Sequence, residues 1–379
     1  MAKLDDVIKN INKEFKTNSI TTNIGAVTFG NKETIPFPTP SFTYLFHGGF
    51  PTKTLWEVSG EFSSGKTVFC MALAGEAQKY FKKQWEEEVA ELQALAKPTK
   101  EQKERLAYLI NRGHKRILWL DSEHSMYDAE WIAKCGLDAS DIIYIKPQEE
   151  SAEELLQMVI NLIKADVVGL GVVDSLSALS SKSALDKTLM EKTYAGISGA
   201  LTEWTRQVLT LLNKYDCSVI CINQQRDVIG AMFPTTNTPG GRAFKYGCHV
   251  RLQFRKEKAI DENYDEIPNK EETYYGQLSA VQILKNKVTK PDRRLVKFTI
   301  SFDDGISAVN DVFIMATGLG IIDKAGAWYS ILGEDGEPKE YNGTLLKFQG
   351  KKNFILFMKE NPSFAEELKN QVEEAVKQD

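Results

Sequence analysis

From Thr54 onward, short apolar runs alternate with stretches whose apolar residues recur every three or four positions. The runs Leu55 to Val58, Ile117 to Leu120, Ile142 to Ile145, Val167 to Val173 and Ser218 to Ile222 are predicted strands. Val68 to Phe81 and Ser151 to Lys164 are predicted helices, the second opened by Ser151 and Glu154 at capping-box spacing. Strands that are apolar throughout are buried on both faces, and their alternation with helices predicts an α/β fold on a mostly parallel sheet flanked by helices. Between Lys82 and Arg112 the chain turns charged, breaks at Pro98, restarts behind Thr99 and Gln102, and stops at Gly113, which predicts a projecting helical hairpin.

The two ends read differently. Ile8, Ile11 and Phe15 form one stripe on a short helix, for docking on its own domain or on a neighbouring subunit. A stretch rich in Thr, Asn, Pro and Gly follows, from 17 to 50, and Ser363 to Val376 is a closing helix. The expected division is an N-terminal helix and linker (1–38), a core carrying the hairpin (39–305), and a small α+β domain (306–379).

Composition narrows the class. The 379 residues are 42% hydrophobic and 26% charged, a globular composition with chain enough for roughly two or three domains. With 47 Lys and Arg against 52 Asp and Glu, the protein is no polycation, so any nucleic-acid site is local. Five scattered cysteines read as reduced core thiols, and Cys217 and Cys221 lack the partners a zinc site needs. Met1 to Phe15 holds no apolar signal core, and no run reaches the roughly 18 apolar residues of a membrane span. The expectation is a cytoplasmic protein without a membrane partner.

Candidate chemistry is concentrated at the ends of the predicted strands. Gly60, Glu61, Phe62, Ser63, Ser64, Gly65, Lys66 and Thr67 fit the phosphate-binding pattern G-x-x-x-x-G-K-[ST], after a strand and before a helix, with Val68 continuing that helix. Successive backbone N–H groups would cradle phosphate at the helix N-terminus. Lys66 would meet the β- and γ-phosphates of ATP, and Thr67 would hold Mg2+. Asp174 and Asp121 each end a strand; Asp174 is the better metal residue and Glu123 the better base for the attacking water. Gln224 ends a third strand, where an amide can gain or lose a γ-phosphate contact. Beyond it, Arg226, Met232, Phe233, Gly240, Gly241, Arg242 and Lys245 make a turn-rich loop with cations and an aromatic, a composition suited to single-stranded nucleic acid.

In this order, these elements resemble the bacterial RecA recombinase family over nearly the whole chain. Gly48 to Pro51, Ser63 to Thr67, Asp121 to His124, Val172 to Leu176, Ile222 to Gln224, Ile229 to Phe233, Gly240 with Gly241, Lys285 to Lys287, and Lys324 to Ser330 carry the likeness. The last two sets are the specific ones, because generic phosphate-loop ATPases lack them. The resemblance implies a RecA-like ATPase core, a DNA-dependent ATPase using ATP and Mg2+, and a homo-oligomeric helical filament on single-stranded DNA that pairs with double-stranded DNA in recombination and repair. It makes Gln224 the nucleotide-to-DNA switch, 225–241 the second DNA loop and 182–192, with Lys187, the first. It sends Lys285 and Lys287 across a subunit interface to a neighbour's ATP, and docks the N-terminal helix with Phe15 on the adjacent protomer. The adenine-stacking aromatic maps onto Trp131 or Tyr127, and Phe302 onto another base contact.

The chain departs from the family in places. Ser125 to Gly136 is one residue longer than its counterpart, 82–112 is an insertion, and the tail is only mildly acidic. These departures suit a phage or plasmid recombinase and put in question the family's rules for its tail, for single-strand-binding protein and for loading mediators. Two rival readings stand beside the recombinase. One is a filament acting on protein partners, such as a coprotease inducing repressor self-cleavage in the SOS response to DNA damage. The other is a ring-forming helicase or loader, against which Lys285 to Lys287 and the Phe233 loop argue.

Overall fold

A computed structural model describes residues 33–186, 197–227, 236–268 and 274–378, together with Lys9, Ile11, Lys13 and Glu14. The chain divides into a unit of residues 1–34 and a unit of residues 35–379. In the first, the four described residues Lys9, Ile11, Lys13 and Glu14 are helical; Ile8 and Phe15 of the expected stripe lie outside the described residues. The remaining structure concerns the second unit.

Its elements are α1 (Pro40–Leu45), β1 (Leu55–Gly60), α2 (Lys66–Gln93), α3 (Lys100–Arg112), β2 (Arg116–Asp121), α4 (Ala129–Lys134), β3 (Ile142–Ile145), α5 (Ala152–Lys164), β4 (Val168–Asp174), α6 (Ser198–Lys214) and β5 (Ser218–Gln224). There follow α7 (Gly241–Gly247), β6 (Val250–Ile260), β7 (Gly276–Asn286), β8 (Leu295–Ser301), β9 (Gly305–Ile306) and α8 (Ala308–Gly318). A small sheet of β10 (Asp323–Ala325), β11 (Trp328–Ser330) and β12 (Lys347–Gln349) precedes α9 (Lys351–Glu360) and α10 (Pro362–Gln378).

The main sheet runs β9-β8-β7-β6-β1-β5-β4-β2-β3. From β6 to β3 the pairs are parallel; β6 to β9 extend the sheet antiparallel. Successive side chains of the parallel strands enter two separate cores. Trp56, Val58, Ile117, Trp119, Ile220 and Ile222 pack with Phe69 and Leu73 of α2. Leu55, Leu118, Leu120, Val219 and Cys221 pack with α5, α6 and Phe244 of α7. Burial on both faces is why these strands read as continuous apolar runs. All five cysteines are buried and free. Among the described residues, no helix is long and apolar enough to cross a membrane.

The helix expected to end at Phe81 continues to Gln93, because Lys82 to Gln93 contains neither Gly nor Pro and consists mostly of good helix formers. It therefore forms the first arm of the hairpin itself. The second arm, α3, starts at the expected capping box, where Thr99 Oγ1 accepts from Gln102 N and Gln102 Oε1 accepts from Thr99 N. The arms are joined by Trp85 Nε1 donating to Leu109 O at 2.9 Å and by the Arg105–Glu88 pair. Tyr108 and Arg112 on Asp166 fix the hairpin's base just beyond α5.

The antiparallel strands β6 to β8 were not among the predicted elements. Val250 to Phe254 alternates buried and half-buried residues, the period-two signature of a strand with one face less covered. Beyond β9, α8 to α10 gather a third core around Phe313, Phe354, Phe357 and Leu368.

Candidate nucleotide-binding site

Parallel pairing in register delivers the candidate residues to one edge of the sheet. Gly60 lies beside Gln224 and Phe254, and Asp121 lies beside Asp174. Ligand-binding crevices form at such carboxyl ends of strands.

The phosphate loop joins β1 to α2. A Cβ on Gly60 would lie 2.3 Å from Phe254 O, and Gly65 takes φ +94 against Ile300, so neither position has room for a side chain. Gln277 on β7 donates from Nε2 to Ser63 O at 2.7 Å, pinning the loop from the antiparallel half of the sheet. Ser64 Oγ closes the turn on Glu61 O, while Phe62 is 80% exposed. Lys66 Nζ donates to Gly60 O and Glu61 O at 3.2 and 2.6 Å. Burial draws its ammonium below the usual amine range against the pull of Asp174 and Glu123. With the N–H groups of a helix start, this cradle fits a polyphosphate.

Thr67 Oγ1 donates to Asp174 Oδ2 at 3.0 Å. Asp174 is buried, and desolvation followed by the nearby Glu123 charge pushes its carboxyl up to about 7. A hydroxyl and a carboxylate oxygen so placed are the hard-oxygen donors that suit Mg2+. Asp121 is engaged differently. Its carboxylate accepts from Ser125 N, Met126 N and Tyr144 OH at 2.9, 3.1 and 2.9 Å; it shapes the loop after β2.

Glu123 is exposed at the mouth of the site. Its Oε1 accepts from Ser175 Oγ, next in chain to Asp174, and from Gln224 Nε2 at 2.7 Å. The base candidate, the metal candidate and the switch candidate therefore share one hydrogen-bonded cluster.

The other face of β5 carries a second polar cluster, absent from the sequence reading. Glu57 is fully buried. It accepts from Asn223 Nδ2 at 2.9 Å and from Arg251 Nε. A charged residue inside the apolar run Leu55 to Val58 was its only sequence signal. Gln277 gave none, since its partner lies 214 residues away.

A RecA N-terminal domain model matches residues 105–307, and a RecA C-terminal domain model matches residues 310–377. Protein RecA of Haemophilus ducreyi is 30% identical over 328 residues, 86% of this chain and 73% of that protein. Protein RecA of Geobacter sulfurreducens is 30% identical over 86% of this chain and 80% of its own. Protein RecA of Ehrlichia ruminantium is 29% identical over 97% of this chain and 88% of its own, a span that takes in the phosphate loop. The chain belongs to the RecA family. Membership makes it a RecA-type recombinase, a class that binds DNA and hydrolyses nucleotide, and agrees with the α/β architecture on a mostly parallel sheet.

In this RecA-family chain, the remaining candidates fall in three groups. Trp131 on α4 is half-buried against the core, whereas the Tyr127 ring is 80% exposed. Phe302 follows β8, is 45% exposed and packs on Tyr274 at 5.4 Å. Lys285 Nζ donates to Lys245 O and Tyr246 O at 2.9 and 2.8 Å, capping the C-terminal end of α7, while Lys287 is exposed. Arg226 and Arg242 are exposed, Gly240 and Gly241 lead into α7, and Lys245 Nζ donates to Asn237. Lys187, Met232 and Phe233 lie outside the described residues.

Proposed function

We propose that this chain is an ATP-dependent homologous recombinase that polymerises on single-stranded DNA as a helical filament and pairs it with duplex DNA. The observation that carries the reading is the double hold on Glu123, from Ser175 beside Asp174 and from Gln224 at the root of the candidate DNA loop. A carboxylate shared in this way makes catalysis and loop position depend on one another.

In this reading the backbone N–H groups of 60–68 and Lys66 hold the β- and γ-phosphates, Lys66 leaving the carbonyls of Gly60 and Glu61 to do so. Thr67 and Asp174 hold Mg2+, which supplies charge neutralisation on the phosphate oxygens. Glu123 takes the proton of the attacking water. Gln224 exchanges Glu123 for the γ-phosphate, and 225–241 follows its strand end. Lys285 and Lys287 of one protomer add positive charge to the neighbour's site, which requires Lys285 to release the α7 carbonyls. Hydrolysis thereby depends on assembly, with the N-terminal helix docking on the adjacent protomer.

On the DNA side, Arg226, Arg242, Lys245 and Lys187 meet phosphates, Gly240 and Gly241 allow close backbone approach, and Met232 and Phe233 wedge between bases. Trp131 or Tyr127, with Phe302, flanks the adenine. Net charge of -5 is compatible with this, since only the filament's inner surface need be basic.

Joint-molecule formation between single-stranded DNA and a homologous duplex tests the reading. Wild type should form joint molecules only with ATP. Phe233→Ala should lower their yield about tenfold, the scale of one lost base stack, with ATP binding retained. A parallel loss of ATP binding would remove that loop from the DNA role. Filaments that bind DNA without pairing it would favour action on protein partners, and closed rings in electron micrographs would favour a helicase or loader.

A further inference from the structure

The second polar cluster, on the face of the sheet opposite the phosphate loop, has an arrangement that the nucleotide site does not require. Glu57 is buried in the centre of β1, flanked by β5 and β6. A buried carboxylate with no cation is costly, and Glu57 meets this with Arg251 of β6, whose side chain is itself largely buried. The pair extends outward. Arg251 Nη2 reaches Thr238 Oγ1 at 3.5 Å, Asn223 Nδ2 donates to Pro239 O at 2.9 Å, and Lys245 of α7 donates to Asn237. These three tethers act on consecutive residues, Asn237 to Pro239.

Asn237 belongs to the returning strand of a two-stranded ribbon, Arg226–Asp227 against Thr236–Asn237, whose outgoing strand begins two residues after Gln224. Both ends of the ribbon are therefore fixed by neighbours on β5. Gln224 holds the outgoing end on Glu123, and Asn223 holds the returning end on Glu57. Side chains alternate across a strand, so any shift of the β5 tip moves both anchors at once. Asn223 also keeps one group in reserve: its Oδ1 is buried without a hydrogen-bond partner among the described residues. Both Nδ2 hydrogens face acceptors, Glu57 Oε1 and Pro239 O, which fixes the amide's orientation.

We propose that Glu57, Arg251 and Asn223 are positioning residues that latch the returning end of the 226–237 ribbon to the sheet, so that a move of Gln224 is transmitted to both ends of the DNA loop. The latch rests on the recombinase reading above. It adds to Gln224 a second arm on the opposite face of the same strand. None of its three members touches the phosphate loop or the Glu123 cluster through the hydrogen bonds described.

The test uses full-length wild type and Glu57→Gln, which preserves shape and an acceptor for Asn223 but removes the charge. ATP hydrolysis is measured against rising single-stranded DNA. Glu57→Gln should cut the DNA-stimulated increment about tenfold, within the usual range of coupling between sites, and shift half-stimulation to higher DNA concentration. DNA-independent hydrolysis and the KM for ATP should stay near wild type, a split that general destabilisation would not produce. Should Arg251 left unpaired prevent folding, the neutral pair Glu57→Gln with Arg251→Gln, and separately Thr238→Val, serve in its place with the same expectation. A folded variant with wild-type DNA stimulation overturns the latch and leaves the recombinase reading intact. A wild type indifferent to DNA overturns both.

Discussion

Asn223 and Gln224 are neighbours on one strand, yet the clusters they join are built on opposite principles. On the Gln224 face, Asp174 and Glu123 lie close enough for Glu123 to help raise Asp174, and the described partners of these carboxylates are hydroxyls and an amide. The nearest cation, Lys66, is spent on loop carbonyls. That face gathers carboxylates beside the phosphate loop, a donor set that suits a metal and a nucleotide. On the Asn223 face, Glu57 is matched by Arg251 inside the protein, and the cluster closes on the chain itself. Binding sites keep charge in waiting; structural joints cancel it.

The contrast predicts where substitutions fall on stability and where on chemistry. The largest effect on stability is expected for Arg251→Ala, which leaves Glu57 charged and buried without a cation. Loss of about 3–5 kcal/mol is expected, measured by denaturant unfolding, and a loss below about 1 kcal/mol would dissolve the distinction between the faces. Lys66→Ala should do the reverse: ATP hydrolysis should fall by about a thousandfold, the scale of a lost phosphate-stabilising group, while unfolding free energy changes little, since its two carbonyl partners border the open site.

Asp311 on α8 provides a third case, a carboxylate as buried as Glu57 whose described hydrogen bond comes from Ser41 N at 2.9 Å. Desolvation pushes it up to about 6, the hydrogen bonds from Ser41 and Thr39 opposing. A raised folded pKa favours the protonated native form, so its contribution is complete below the ordinary pKa near 4 and is lost as pH rises through about 6. The stability of Asp311→Asn relative to wild type should therefore climb by about 2–3 kcal/mol between pH 4 and 7 and level off above. A flat difference would show that burial without a cation is tolerated here. The smallest effect is expected at Gln277→Ala, where loss of the bond to Ser63 O should raise the half-saturating ATP concentration roughly fivefold, equivalent to about 1 kcal/mol, with little change at saturation.

Much of this was legible in the chain because local patterns carried it. The parallel strands, the phosphate loop, the capping boxes at Thr99 and Ser151, and the carboxylates after β2 and β4 all announce themselves within a few residues. Some of what was missed is local: in β6, Val250, Leu252 and Phe254 alternate with Arg251, Gln253 and Arg255, and nothing in the sequence of α2 stops it at Phe81. The rest is non-local. Gln277, Glu57 and Arg251 take their meaning from partners 166 to 214 positions distant or from an adjoining strand. Asp121 looked like a second metal acid, and only the hydrogen bonds it accepts from Ser125, Met126 and Tyr144 show that it shapes a loop.

The central claim is that Gln224 ties the nucleotide site to the DNA loop through Glu123. It is tested most directly by the ratio of ATP hydrolysis with single-stranded DNA to hydrolysis without it, in wild type and in Gln224→Ala. The ratio should stand well above one in wild type and collapse to about one in the variant, as required when the element shared by two coupled sites is removed. A variant stimulated as strongly as wild type would contradict the claim.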